Sequence, residues 1–138
     1  MSPPDLSGIP IGSEGIAEMV VGSNDTARRV GSGTSAVLAT PVLVSLMEEA
    51  ALAAVEACLP EGFQSLGTRL EISHVAATPT GMAVRATARL LGVSGRRLTL
   101  SVRAEDAFDM IGEGTHERVV VESAPFLARI AEKSRRRE

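Results

Sequence analysis

Glu48 sits on the wrong side of a helix. The stretch from Thr40 to Leu59, TPVLVSLMEEAALAAVEACL, holds no charged residue other than Glu48, Glu49 and Glu56. At about 100° per residue, Ser45, Glu49 and Glu56 share a narrow polar edge, while Glu48 falls within roughly 40° of Pro41, Val44, Leu52, Val55 and Leu59. A carboxyl group placed among apolar neighbours is desolvated, which raises its pKa and suits it to general acid–base work. The alternative is that Glu48 reaches out to water or meets a structural partner. Two further groups are candidates by type and place. Thr40 opens the helix, where its hydroxyl can cap an orphan N–H, followed by Pro41 at the first helical position. His74 shares a strand face with Leu70 and Ile72, where a hydrogen-bonded core histidine is the ordinary reading.

The elements that must position these groups follow from periodicity. A helix apolar nearly all round needs cover on most sides. Pro60 and Gly62 end it. Ahead of it, residues 1–14 are rich in Pro, Gly and Ser and read as a flexible arm, and residues 15–138 as one domain. GIAEMVVG, Gly15 to Gly22, reads as a strand, and Ser23 to Ala39 as a turn-rich loop. Within that loop GSGTS lacks the phosphate-cradling Walker pattern. Behind the helix the period changes to two. Strands are expected at Ser65–Ala77, Met82–Val93, Arg97–Ala107 and Met110–Glu122, the last with Gly112 and Gly114 leaving room for a close backbone approach or a bulge. Thr78-Pro79-Thr80-Gly81 and Ser94-Gly95-Arg96 are turns between them, so an antiparallel meander is expected. A terminal helix with a basic end follows at Pro125–Arg137. The pattern is α+β, an antiparallel sheet on one central helix.

Composition narrows the function classes. The chain has 138 residues, 44% of them hydrophobic, enough for one core. Three Phe and no Trp or Tyr leave few stacking platforms, and a net charge of -3 argues against a nucleic-acid partner. One cysteine, Cys58, excludes an internal disulfide and reads as a small core residue. With two His there is little basis for a metal site, and no cofactor is implied. The N-terminal segment has no basic region ahead of an apolar run, and three Glu interrupt the one long apolar stretch. A cytoplasmic protein without a membrane segment is expected.

Several segments together carry a resemblance. LATPVLVSLMEEA (Leu38–Ala50), SLGT (Ser65–Thr68), SHVAATPTG (Ser73–Gly81), GRRL (Gly95–Leu98) and IGEGTHERVV (Ile111–Val120) resemble the fluoroacetyl-CoA thioesterase family of hotdog-fold enzymes over more than half of the chain. The resemblance implies a hotdog fold, a curved sheet wrapped around the helix, and hydrolysis of a small or medium acyl-CoA to free acid and CoA. In that family a Thr at the start of the central helix, a Glu two turns on and a His on the next strand are catalytic. Those positions are Thr40, Glu48 and His74. A Gly that helps hold the thioester carbonyl matches Gly67, and an Arg near the acyl pocket matches Arg118. The fluoroacetate-specific type carries an aromatic lid before the helix. Here that segment is GSGTSAV, shorter and without Phe, which implies a wider or different acyl pocket.

The chemistry divides among these groups. Thr40 can orient the reacting group or act as nucleophile. Glu48 can act as general base on water or attack the carbonyl to give an anhydride. His74 can protonate the leaving thiolate, and a backbone N–H near Gly67 can hold the oxyanion. Thr40 and Glu48 lie roughly 12 Å apart along the helix. A site using both is bridged by substrate or combines two chains, and a homodimer is expected because hotdog thioesterases commonly place sites between subunits. Each residue has a structural alternative: Arg118 could pair with Glu117 or Glu105 at the surface, and His116 reads as structural. Arg96, Arg97 and the KSRRR tail could meet CoA phosphates or simply be solvated. Two other functions remain open, a non-catalytic acyl-CoA or small-molecule binding module and a hotdog enoyl or hydroxyacyl thioester hydratase. Thiol release separates hydrolysis from both.

Overall fold

The computed structural model describes residues 4–137. Five strands form one antiparallel sheet: β1 (Glu14–Val20), β2 (Phe63–His74), β3 (Ala83–Ser94), β4 (Arg97–Glu105) and β5 (Met110–Glu122). The central helix is α2 (Thr40–Val55), with a single turn α1 (Ala27–Val30) before it and α3 (Ser123–Arg135) closing the chain. This is the hotdog architecture, the sheet curved around α2. Among the described residues, no helix is long and apolar enough to cross a membrane.

The strand order is β1-β3-β4-β5-β2. The expected meander therefore holds only from β3 to β5. β2 pairs with β5 instead of β3. Residues 75–82 do not make a hairpin; they cross the end of the sheet. Their backbone is tied on the way by Val75 N–H to the Ile111 carbonyl, Leu38 N–H to the Thr78 carbonyl and Gly81 N–H to the Val21 carbonyl.

Local chemistry sets the ends of α2. Ala39, not Thr40, is the N-cap, with extended backbone and no capping side chain. The helix begins one residue before the expected start because the Ala39 carbonyl already accepts from Val42 and Leu43. The Thr40 hydroxyl is thereby released from capping. At the other end the α-geometry stops at Val55 rather than Leu59, and Glu56–Cys58 tighten into a 3₁₀ turn. That turn leaves Cys58 exposed, not in the core.

One arc of α2, with Leu43, Leu46, Met47, Ala50, Ala51, Ala54 and Val55, is buried. It lies mainly over β1 and β3, and less over β4 and β2. The opposite edge leaves Pro41 and Leu52 exposed. The N-terminal segment, read as an arm, lays Leu6 and Ile9 into the core, and the Ser13 hydroxyl donates to the Ala54 carbonyl at 2.7 Å. Residues 1–3 lie outside the described residues.

β2 carries a bulge. Gly67 pairs with Arg118 and Arg69 with Glu117, so Thr68 is the extra residue. A strand alternates faces with period two, and one extra residue reverses the phase. Ser65 and Gly67 thus face the helix before the bulge, and Leu70, Ile72 and His74 after it. β1 lies so close to α2 that a Cβ on Gly15 would stand 2.2 Å from the Ala50 carbonyl oxygen. Gly15→Ala is expected to destabilise the fold by more than about 2 kcal/mol in urea unfolding, because backbone must move. Gly92→Ala, where a Cβ meets nothing within 4 Å, is the control and is expected to stay within about 0.5 kcal/mol.

Candidate active site

The five candidate residues fall into two groups within one chain. Thr40 and His74 form the first. Helix α2 starts beside the last residue of β2, and the Thr40 hydroxyl oxygen lies 2.7 Å from His74 Nδ1, a hydrogen bond whose direction follows the ring tautomer. His74 Nε2 is screened from water and has no partner among the described residues. A buried polar atom without a partner is a costly arrangement that a bound group can relieve. Burial pushes the His74 pKa below its ordinary value, with the Ala76 backbone pulling the other way. The imidazole is thus biased to its neutral form.

Glu48, Gly67 and Arg118 form the second group, two helical turns further along α2. Glu48 Oε2 lies 3.8 Å from Arg118 Nη1. A Cβ on Gly67 would stand 2.6 Å from the same Glu48 oxygen, so no side chain larger than glycine's fits there without displacing the carboxylate. In the single chain Glu48 is only partly desolvated, its side chain 43% exposed and set against Arg118, which is closer to the alternative of reaching out to a polar partner. It sits at the boundary between the buried arc of α2 and the exposed edge, with a guanidinium rather than hydrocarbon beside it.

Arg118 does not pair with Glu117 or Glu105 at the surface. It is 4% exposed, because alternation along β5 turns His116, Arg118 and Val120 inward. Its Nε donates to the Ser65 hydroxyl at 2.8 Å and its Nη2 to the Ser65 carbonyl at 3.0 Å. Nη1 lies 3.1 Å from His116 Nε2. The other ring nitrogen, His116 Nδ1, lies 2.8 Å from the Arg69 carbonyl. A guanidinium only donates and a carbonyl only accepts. His116 is therefore neutral, with its proton on Nδ1.

Sequence alone does not single out His116, Ser65 and Glu56 as neighbours of Arg118. Period-two alternation from Val120 back through Arg118 reaches His116 and was the available signal for it. Ser65 is the first residue of the SLGT segment. Glu56 had no local signal, since its partner Ser65 lies beyond the turn that follows the helix. Among the described residues, no group of three or more His, Cys, Asp or Glu side chains is placed to hold a metal ion.

The sequence profile of a family described as fluoroacetyl-CoA-specific thioesterase matches residues 21–124. The fluoroacetyl-CoA thioesterase of Streptantibioticus cattleyicolor is 46% identical over 98 residues, 71% of this chain and 70% of that protein. A solved structure of a fluoroacetyl-CoA thioesterase superposes with a TM-score of 0.85 at 38% identity, covering 92% of this chain and 98% of that one. A thioesterase-superfamily protein from Thermus thermophilus gives 0.87 at 32% identity, covering 93% and 95%.

His116 generates a pH prediction. Burial, the largest cause, pushes its pKa below 6.5, the Arg118 charge adds to this, and the Arg69 carbonyl and Glu48 oppose it. The unfolded chain takes up this proton at higher pH than the folded one. Stability tied to neutral His116 is thus complete above the unfolded value and is lost as pH falls through the lower folded one. Urea midpoints measured between about pH 8 and about pH 5 are expected to fall more steeply on the acid side for the native protein than for His116→Gln, which has no ring to protonate. Equal slopes would count against the neutral assignment.

Proposed function

We propose, for a chain that belongs to the fluoroacetyl-CoA-specific thioesterase family and is an acyl-CoA thioesterase of hotdog fold, that two copies build each active site. Thr40 and His74 come from one protomer, and Glu48, Gly67 and Arg118 of the partner subunit complete the set. The observation that carries this is the separation of the two groups along α2. Thr40 and Glu48 are eight residues apart on one rigid helix, roughly 12 Å.

Three further features support a second copy. β2 is an edge strand of 12 residues whose outer ladder is unpaired in the single chain. Such an edge invites pairing with another strand. Leu52 on α2 is exposed beside Glu48, an apolar edge that a partner would cover. Antiparallel pairing of β2 with its own copy about Glu71, with Thr68 again the extra residue, would set His74 opposite the partner's Gly67. A homodimer is the smallest assembly that completes the site.

The reaction is hydrolysis. Water adds to the thioester carbonyl carbon, the C–S bond breaks, and the acid and free CoA thiol leave. The carboxylate of the partner's Glu48 draws the proton from the attacking water or attacks the carbonyl first. In the second route water then opens the anhydride. The backbone beside the partner's Gly67 receives the carbonyl oxygen. The Thr40 hydroxyl donates to His74 Nδ1, so Nε2 carries the N–H and presents it to the leaving sulfur. The substrate is a small or medium acyl-CoA. Residues 31–37 carry no aromatic side chain, which favours acyl groups larger than fluoroacetyl. A CoA thioester substrate is in keeping with a cytoplasmic protein.

Thiol release from a panel running from acetyl-CoA and fluoroacetyl-CoA to octanoyl-CoA and phenylacetyl-CoA tests the activity. Glu48→Gln and His74→Ala are each expected to lower turnover at least ~100-fold with folding intact by circular dichroism. A heterodimer of the two variants, purified through two different tags, retains one intact site and is expected to recover about half of native turnover. No recovery would sink the shared site, and no thiol release from any thioester by the native protein would sink the hydrolase reading.

A further inference from the structure

Arg118 is a buried positive charge, and burial is the largest influence lowering its pKa. Such a charge needs a counter-charge at all times. Glu48 is the nearer candidate by function, but in thioester hydrolysis it loses its negative charge whenever it takes a proton or an acyl group. Arg118 would then stand uncompensated at the moment its position matters.

A second carboxylate is wired to the same guanidinium. The Ser65 hydroxyl lies 2.5 Å from Glu56 Oε1, and the Ser65 N–H donates to Glu56 Oε2 at 3.0 Å. The hydroxyl has one proton, and Arg118 Nε can only donate. The chain of bonds therefore has one direction: Arg118 N–H to the Ser65 oxygen, and the Ser65 proton to Glu56. Glu56 also raises the Arg118 pKa more than Glu48 does. The 3₁₀ turn at Glu56–Cys58 brings this carboxylate to the start of β2, against Ser65.

We infer that Glu56, acting through Ser65, is the standing counter-charge of Arg118 and a positioning residue for the Glu48 end of the site, with neutral His116 as the second stop on the guanidinium. This rests on the hydrolase reading above, in which Glu48 changes charge during turnover. Glu56 touches no substrate. It keeps Arg118 in register while Glu48 is neutral, so its loss slows the chemical step and leaves substrate binding largely alone.

Glu56→Gln keeps an acceptor for Ser65 and removes the charge. It is expected to lower kcat about tenfold while KM stays within about twofold, and Glu56→Asp to recover most of the loss. Ser65→Ala breaks the same relay from its middle, and the double variant is expected to be no slower than either single one. Both single variants are checked for folding by circular dichroism. A measurement independent of turnover follows hydrogen exchange at the Arg118 Nε–H by NMR. In Glu48→Gln, where the other carboxylate is already neutral, that proton is expected to remain protected, and adding Glu56→Gln to speed its exchange at least ~10-fold. An unchanged kcat in both single variants, or equal protection in the presence and absence of the Glu56 charge, would overturn the inference. If the native protein releases no thiol, the hydrolase reading fails separately, and the exchange measurement still decides whether Glu56 holds Arg118.

Discussion

Helix α2 has too little polar surface to stand in water, and the rest of the molecule is arranged around that fact. Burial of its Leu43–Leu46–Met47–Ala50–Ala54 arc is the largest apolar contribution any one element makes to the core. The sheet curves to supply the cover, and Gly15 lets β1 lie directly against the helix backbone. The cover is uneven. α2 lies chiefly over β1 and β3, so the inner faces of β5 and β2 are where polar groups can gather. Glu48 stands at that boundary, rooted in the helix and reaching toward the strands.

The bulge at Thr68 decides what those strands present. Gly67 and His74 have opposite parity in the sequence, and an unbroken strand would send them to opposite faces. One inserted residue puts both on the helix side. It also leaves Ser65 inward, where it links Arg118 to Glu56. The two polar groups of the site thus depend on a single irregularity in an otherwise regular ladder.

Much of this was legible in the chain. The 3.6-residue pattern of Thr40–Leu59 and the alternation of the later strands gave the central helix and antiparallel sheet, and β5 has the expected bounds, Met110–Glu122. The path of β2 was not legible, because Thr78-Pro79-Thr80-Gly81 has the composition of a hairpin turn and does turn locally, Met82 N–H bonding the Pro79 carbonyl, while Thr78 and Gly81 bond to Leu38 and Val21, distant in sequence. Thr40 was visible as a helix-start residue, but its hydroxyl goes to His74, since Ala39 takes the cap position. A wheel put Glu56 correctly on the polar edge. It could not show that this edge meets a serine buried across a turn, because a wheel describes one element and a hydrogen bond joins two. Glu48 escaped the expected desolvation for a related reason: its apolar sector is only partly covered by its own chain.

Thr40 is also the first residue of a 16-residue helix, and His74 rests against it. The aligned peptide dipoles of such a helix place the equivalent of roughly half a positive charge at this end. That field disfavours an imidazolium and favours an anion, so it acts in the same direction as burial on His74. In the proposed reaction it would also favour sulfur as it takes on negative charge next to the ring. The helix that organises the core thereby supplies a fixed electric field at the Thr40–His74 end of the proposed site, set in place as the protein folds and needing no rearrangement during the reaction proposed there.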